Sequence, residues 1–167
     1  MDYQLLALDL DGTLTNSKKE VSEPTIKALI QIQEQGKKVV LASGRPTRGV
    51  VPLAELLHLK DYGSYILSFN GGRITDCRTG QAIYNRTVPD DVALPLFHIV
   101  KKYAGADILA YTEDTILSGI RPNQYTELES RINHMQIIQA KDFPEEITEP
   151  SNKLLITCLL YTSPSPR

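Results

Sequence analysis

Two aspartates one residue apart close an apolar run in "LLALDLDGTLT", residues 5–15, with Gly-Thr directly behind them. If the run is a strand, its side chains alternate, so Asp9 and Asp11 share one side while Leu10 points away. Two carboxylates that close need a cation, and hard oxygen ligands at this spacing suit Mg²⁺. Gly12 and the turn that follows let backbone N–H groups approach an oxyanion closely. The stretch is therefore a candidate metal-assisted phosphate site at the C-terminal edge of a sheet, where open α/β sheets place their ligands. A polar strand end with an Asp-Gly turn explains any single D-x-D equally well. The longer string D-x-D-G-T followed by Leu or Val is rarer: at roughly 5 to 7% usage per residue, chance gives it about once in a couple of thousand chains of this length.

The elements that must position this pair come in a regular order. An apolar strand (5–8), a polar loop, a helix, a second apolar strand (38–42), a helix over 47–57 and a third strand (65–69) make a βαβαβ pattern, the signature of a parallel sheet. Ser22 is placed to cap the first helix, Pro24 sits in its first turn, Ile26, Leu29 and Ile30 share a face, and Gly36 closes it. Val39, Val40, Leu41 and Ala42 run without polar alternation, as in a strand with both faces covered. After "FNGG" at 69–72 the texture changes. A hairpin around Arg78-Thr79-Gly80, a helix from Pro89 to Tyr103, strands at 108–112 and 115–118, a helix at 124–133 and a strand at 153–157 predict a second module. That module reads as an open antiparallel sheet with helices on one side.

Composition narrows the partners. The 167 residues carry a formal net charge of -2, so no global basic field draws in nucleic acid or an anionic membrane surface. The scattered tyrosines form no basic and aromatic stripe for single strands. No apolar run approaches the ~20 residues of a membrane helix and no basic leader precedes one, which predicts a cytoplasmic protein. Cys77 and Cys158 make neither a metal motif nor a disulfide framework, consistent with a reducing compartment. His58, His98 and His134 have no partner at metal spacing and assemble no Ser-His-Asp triad.

Three stretches in order, "DLDGTL" at 9–14, "LASGRP" at 41–46 and "SFNGG" at 68–72, carry a family resemblance. The chain resembles the haloacid dehalogenase superfamily of phosphotransferases, in its Cof-like sugar phosphatase branch, over residues 1 to about 157. The resemblance implies a Rossmann-like α/β core, of which this chain would hold the N-terminal part in residues 1–71, and an inserted α+β cap over 72–157. It implies that Asp9 is the nucleophile and a Mg²⁺ ligand, forming an aspartyl-phosphate. Asp11 would be the acid and base and bind the metal through its backbone carbonyl. The Ser43 hydroxyl and Gly44 N–H would hold the phosphoryl oxygens, and Arg45, Asn70 and Gly71 would shape the substrate entrance below the cap. Ordinary turns at Ser-Gly and Asn-Gly and a surface cation at Arg45 stay open beside these roles.

The implied reaction is Mg²⁺-dependent hydrolysis of small phosphorylated metabolites, with a phosphosugar mutase or a phospho-accepting binding module as alternatives. The superfamily's phosphate-neutralising lysine and its downstream metal carboxylate are not visible. Lys153 in "NKLLIT" fits a cap strand, and Glu145, Glu146 and Glu149 read as a solvated loop. The chain as it stands is therefore expected to be inactive, with its hinge near Gly71-Gly72. Residues 158–167, "CLLYTSPSPR", resemble the read-through of a transposase-type sequencing adapter and are expected to be a non-native tail.

Overall fold

A computed structural model describes residues 3–159 of the chain. They form two compact units that divide between Arg86 and Thr87.

In the first unit the elements are β1 (Leu5–Asp9), α1 (Glu23–Glu34), β2 (Lys38–Ala42), α2 (Thr47–Leu56), α3 (Leu59–Tyr62), β3 (Tyr65–Ser68), a 3₁₀ turn (Phe69–Gly71), β4 (Arg73–Asp76) and β5 (Ala82–Asn85). One sheet takes all five strands in sequence order. β1, β2 and β3 run parallel, and β4 and β5 join as an antiparallel hairpin. Ser22 caps α1, its hydroxyl accepting the Thr25 N–H at 3.4 Å, and Pro24 stands in the first turn, where a missing N–H costs nothing. The core joins Leu29 of α1, Val39 and Leu41 of β2, Val50 and Ala54 of α2, Leu59 of α3 and Ile66 of β3.

Two expectations change here. The hairpin 73–85 is the end of the first sheet rather than the start of the second module, so the chain divides at Arg86 and not after Gly71. β3 and β4 are joined through the tight turn at 69–71, which reverses the chain onto its own neighbour and makes antiparallel pairing immediate. β1 lies at the sheet edge with Leu5 52% and Leu6 38% exposed, and β2 is the better covered strand, buried at Val39, Val40 and Leu41.

The second unit contains α4 (Ala93–Val100), β6 (Ala106–Tyr111), β7 (Thr115–Ser118), α5 (Gln124–Asn133), β8 (Gln136–Gln139), α6 (Phe143–Glu146) and β9 (Leu154–Cys158). The sheet order is β8-β7-β6-β9. It is mixed rather than antiparallel, because β7 and β8 pair parallel, with α5 as the crossover that parallel pairing requires. The helices cover both faces. Ala106, Ile108 and Ala110 of β6 pack with Val100 and Phe143 from α4 and α6. The alternate residues Asp107 and Tyr111 hydrogen-bond Thr126 and Glu129 of α5. All six residues of β6 are buried as a result. The helix expected over 89–103 is shorter, Ala93–Val100.

Asp107, with 0% exposure, is the polar centre of this unit. Its carboxylate accepts the Ser118 hydroxyl at 2.7 Å, the Thr126 hydroxyl at 3.1 Å and the N–H groups of Ile108 and Ile120 at 2.9 Å each. Of the expected tail, residues 160–167 lie outside the described residues. Cys158 closes β9, and Leu159 donates its N–H to the Gly105 carbonyl at 3.1 Å, so the sheet runs past Thr157. Among the described residues no helix is long and apolar enough to cross a membrane.

Candidate active site

β1 ends at Asp9, and the turn that leaves it sets the second aspartate. Leu10 is fully buried, while Asp9 and Asp11 on either side of it are exposed. Behind them the chain turns tightly: the Asp9 carbonyl accepts the Leu14 N–H at 3.1 Å, and the Leu10 carbonyl accepts the Thr15 N–H and hydroxyl, each at 2.9 Å. Gly12 makes the turn at φ +85°, left-handed backbone that a side chain would strain. The Thr13 hydroxyl reaches back to the Asp9 carboxylate at 3.4 Å, and no ion pair engages Asp9 among the described residues.

Parallel pairing brings three strand ends level, with Asp9 opposite Ala42 and Ala42 opposite Leu67. Ser43, Gly44 and Arg45 follow β2, and the turn 69–71 follows β3. These two segments are tied by backbone hydrogen bonds. Ser43 donates to the Leu67 carbonyl at 2.9 Å, Asn70 to the Ser43 carbonyl at 3.1 Å, and Phe69 to the Arg45 carbonyl at 2.9 Å. Phe69, Asn70 and Gly71 all have left-handed backbone, at φ 52°, 57° and 92°. Such geometry costs on the order of 1 kcal/mol or more at each non-glycine residue, and the hydrogen bonds together with burial of Phe69 maintain it. The turn sets Asn70 against Gly44, where a Cβ would lie 3.0 Å from the Asn70 Nδ2 and 3.2 Å from its Oδ1. The Ser43 hydroxyl accepts the Arg45 N–H at 3.1 Å, and so keeps its own proton to donate.

Asp11 is the most strongly engaged member. Its Oδ2 accepts from Arg45 Nε at 2.9 Å, and its Oδ1 accepts from Arg45 Nη2 at 2.5 Å and from Lys19 Nζ at 2.8 Å. Arg45 is largely covered, with 11% of its side chain exposed, whereas Asp11 and Lys19 are at 39% and 49%. The Arg45 fork is the main cause that holds the Asp11 carboxyl below its ordinary value. Partial burial opposes it and Lys19 adds to it.

The strand ends thus gather Asp9, Asp11, Ser43, Gly44, Arg45 and Asn70, with Gly71 closing the turn behind them. Lys19 was not among the expected residues. Its signal lies in "NSKKE", 16–20, a turn-forming string directly after the aspartates, but nothing periodic marks which of its lysines turns inward. The other polar residues have local roles. Glu146 caps the chain at Lys141 and Asp142 by accepting their N–H groups at 2.7 and 2.8 Å, which holds its carboxyl below the ordinary value. Lys153 lies over the Tyr111 ring at 5.9 Å. His58 pairs with Asp61 at 3.3 Å, and His134 ends α5 in left-handed backbone. Among the described residues no group of three or more His, Cys, Asp or Glu side chains converges on a point.

A sequence profile of the haloacid dehalogenase-like hydrolases matches residues 6–164. The chain belongs to this family. It is 33% identical over 165 residues to M6_Spy0533 of Streptococcus pyogenes serotype M6, provisionally designated a phosphatase, covering 98% of this chain and 59% of that protein. Over 76 residues, 46% of this chain and 29% of the other, it is 36% identical to YcsE of Bacillus subtilis, named a 5-amino-6-(5-phospho-D-ribitylamino)uracil phosphatase. Its fold matches the crystal structure of a haloacid dehalogenase-like hydrolase from Bacteroides thetaiotaomicron with a TM-score of 0.83 and 42% identity, over 90% of this chain and 56% of that one. The chain therefore spans little more than half the length of the Streptococcus and Bacteroides proteins it matches.

Proposed function

We propose that this chain belongs to a Mg²⁺-dependent phosphatase that hydrolyses small phosphorylated metabolites, sugar or cofactor phosphates, through an aspartyl-phosphate on Asp9. The observation that carries the reading is the exposed Asp9 and Asp11 pair flanking buried Leu10, level with Ser43 and Gly44, in a member of a hydrolase family.

The donor set fits a hard cation. Mg²⁺ is ordinarily held by one or two carboxylates together with waters and substrate phosphate, and the Asp9 carboxylate with the Asp11 carbonyl provides such a partial shell. When bound, Mg²⁺ supplies charge that offsets the phosphoryl oxygens and orients the phosphate. The remaining steps belong to the chain. An Asp9 oxygen attacks phosphorus, the bond to the leaving alcohol breaks, and Asp11 gives that alcohol its proton, entering this step protonated, a form that its contacts with Arg45 and Lys19 disfavour. Water then attacks the aspartyl-phosphate, Asp11 takes up its proton, and inorganic phosphate leaves with Asp9 restored. The Ser43 hydroxyl and Gly44 N–H hold the phosphoryl oxygens as charge builds on them. Arg45, Asn70 and Gly71 line the approach.

The metabolite class rests on the named substrate of the Bacillus relative. We assign substrate choice to the second unit, as a cap, because Asp9, Asp11, Ser43 and Gly44 of the first unit are devoted to the phosphoryl group. Cys77 and Cys158 make no disulfide framework, which favours a reducing, cytoplasmic setting. The test is release of inorganic phosphate by the complete gene product from a panel of phosphorylated metabolites with Mg²⁺. Asp9→Asn is expected to abolish turnover, since an amide is a poor nucleophile and a poorer Mg²⁺ ligand. Near-normal turnover by that variant would end the proposal, and an isomerised phosphate in place of inorganic phosphate would make the enzyme a mutase.

A further inference from the structure

Lys19 is delivered to Asp11 by a loop built for the purpose. The Asn16 side-chain oxygen accepts the N–H groups of Lys18 at 2.8 Å and Glu20 at 3.0 Å. The Asn16 N–H donates to the Glu20 carbonyl, and the Lys19 N–H to the Asn16 carbonyl, both at 2.9 Å. Lys19 itself sits at φ +64°, backbone that a side-chain-bearing residue adopts at a cost. An ordinary surface ion pair joins two floppy side chains and contributes little. Here the loop is fixed, the backbone is strained at the one residue that reaches inward, and the partner carboxylate is already forked by a largely covered arginine.

We infer that Lys19 is a positioning residue that, with Arg45, fixes the Asp11 carboxylate for its base step. The inference rests on the reading of Asp11 given above. Oδ1 carries two donors, from Lys19 and Arg45, while Oδ2 carries only the Arg45 Nε among the described residues. A second lone pair on Oδ2 is thereby left to accept a proton from water. With Lys19 removed, the carboxylate pivots about the arginine fork, and that lone pair loses its fixed direction. The affected step is hydrolysis of the aspartyl-phosphate, in which water adds to phosphorus, its proton passes to Oδ2, and the bond from phosphorus to Asp9 breaks.

The experiment uses the complete gene product with p-nitrophenyl phosphate and Mg²⁺, because p-nitrophenolate departs without needing a proton and isolates the base step. Lys19→Met is expected to lower kcat about tenfold, less than the roughly 10²- to 10⁴-fold of losing the proton acceptor itself, because the Arg45 fork still holds Asp11. KM should fall with it, kcat/KM stay unchanged, and phosphate accumulate on the peptide containing Asp9 after acid quench. Lys19→Arg should restore kcat, and Asn16→Ala, which unties the loop without touching the cation, should accumulate phosphate as Lys19→Met does. Unchanged kcat in Lys19→Met, or a raised KM at constant kcat, would overturn the inference; the latter would make Lys19 a substrate-binding group. The underlying reading fails separately: Asp11→Asn would then turn over normally, or no protein in the series, wild type included, would carry phosphate on Asp9.

Discussion

At the residue scale, the same local chemistry that holds the site can be read at Cys77. Burial, with the Asp76 charge adding to it, pushes the thiol up to about 11. The unfolded chain releases this proton near pH 9.0, so between those values the unfolded state binds fewer protons and stability falls as pH rises. Stability from the neutral thiol is complete below the lower value and is lost above it. Urea unfolding of wild type and Cys77→Ala is expected to show a steeper loss for wild type between about pH 9 and 11, and equal slopes would contradict it. The aspartates were legible for a comparable reason: alternation about Leu10 needs only the sequence and a strand. Lys19 was not, because its approach to Asp11 depends on a left-handed backbone and on hydrogen bonds to Asn16, which no spacing announces. Nor does the motif reveal that Arg45 forks onto Asp11, since the contact spans 34 positions of sequence.

Elements were easier to find than to assign. Turn chemistry at Asp76 to Gly80, with the Arg78 N–H on the Asp76 carboxylate at 2.8 Å and Gly80 at φ +74°, fixes a hairpin but says nothing of which sheet receives it. The short β8 escaped because four residues, Gln-Ile-Ile-Gln, offer too little periodicity, and without it the parallel β7–β8 pairing was invisible. Asp107 escaped because a lone acid within an apolar strand has no sequence mark of its donors. It nevertheless joins β6, β7, the loop beyond β7 and α5 through one carboxylate. Removing it takes a partner from two backbone N–H groups and two hydroxyls, of which the Thr126 hydroxyl keeps Thr157 at 3.2 Å. Asp107→Ala is therefore expected to destabilise the second unit by about 3 kcal/mol. Denaturant unfolding followed by probes in each unit should show the loss in the second, and a change below about 0.5 kcal/mol would mean the network is replaceable.

Over the whole molecule, the exposed edge of the first sheet and the composition of the site lead to the same expectation. Among the described residues β1 pairs only with β2, and Leu5 and Leu6 on it stand 52% and 38% exposed beside Tyr3 at 73%. A sheet edge with exposed apolar side chains is a template for pairing with another copy, and natural edges are blunted with charge. Residues 1–167 should therefore self-associate with rising concentration. Leu5→Lys should shift that association to higher concentration, read by light scattering, without altering the core, which Leu5 does not enter. The site meanwhile offers one carboxylate outside the ion pairs, Asp9, and no third acid among the described residues, while Lys19 and Arg45 are engaged by Asp11. Phosphoryl transfer depends on charge placed around the phosphoryl oxygens and on a firmly held metal. Purified residues 1–167 are accordingly expected to be inert towards p-nitrophenyl phosphate with Mg²⁺ under conditions in which the complete gene product turns over. Robust activity of this chain, lost in Asp9→Asn, would show that Asp9, Asp11 and the Ser43 loop suffice, and that the cations on Asp11 are released to the substrate.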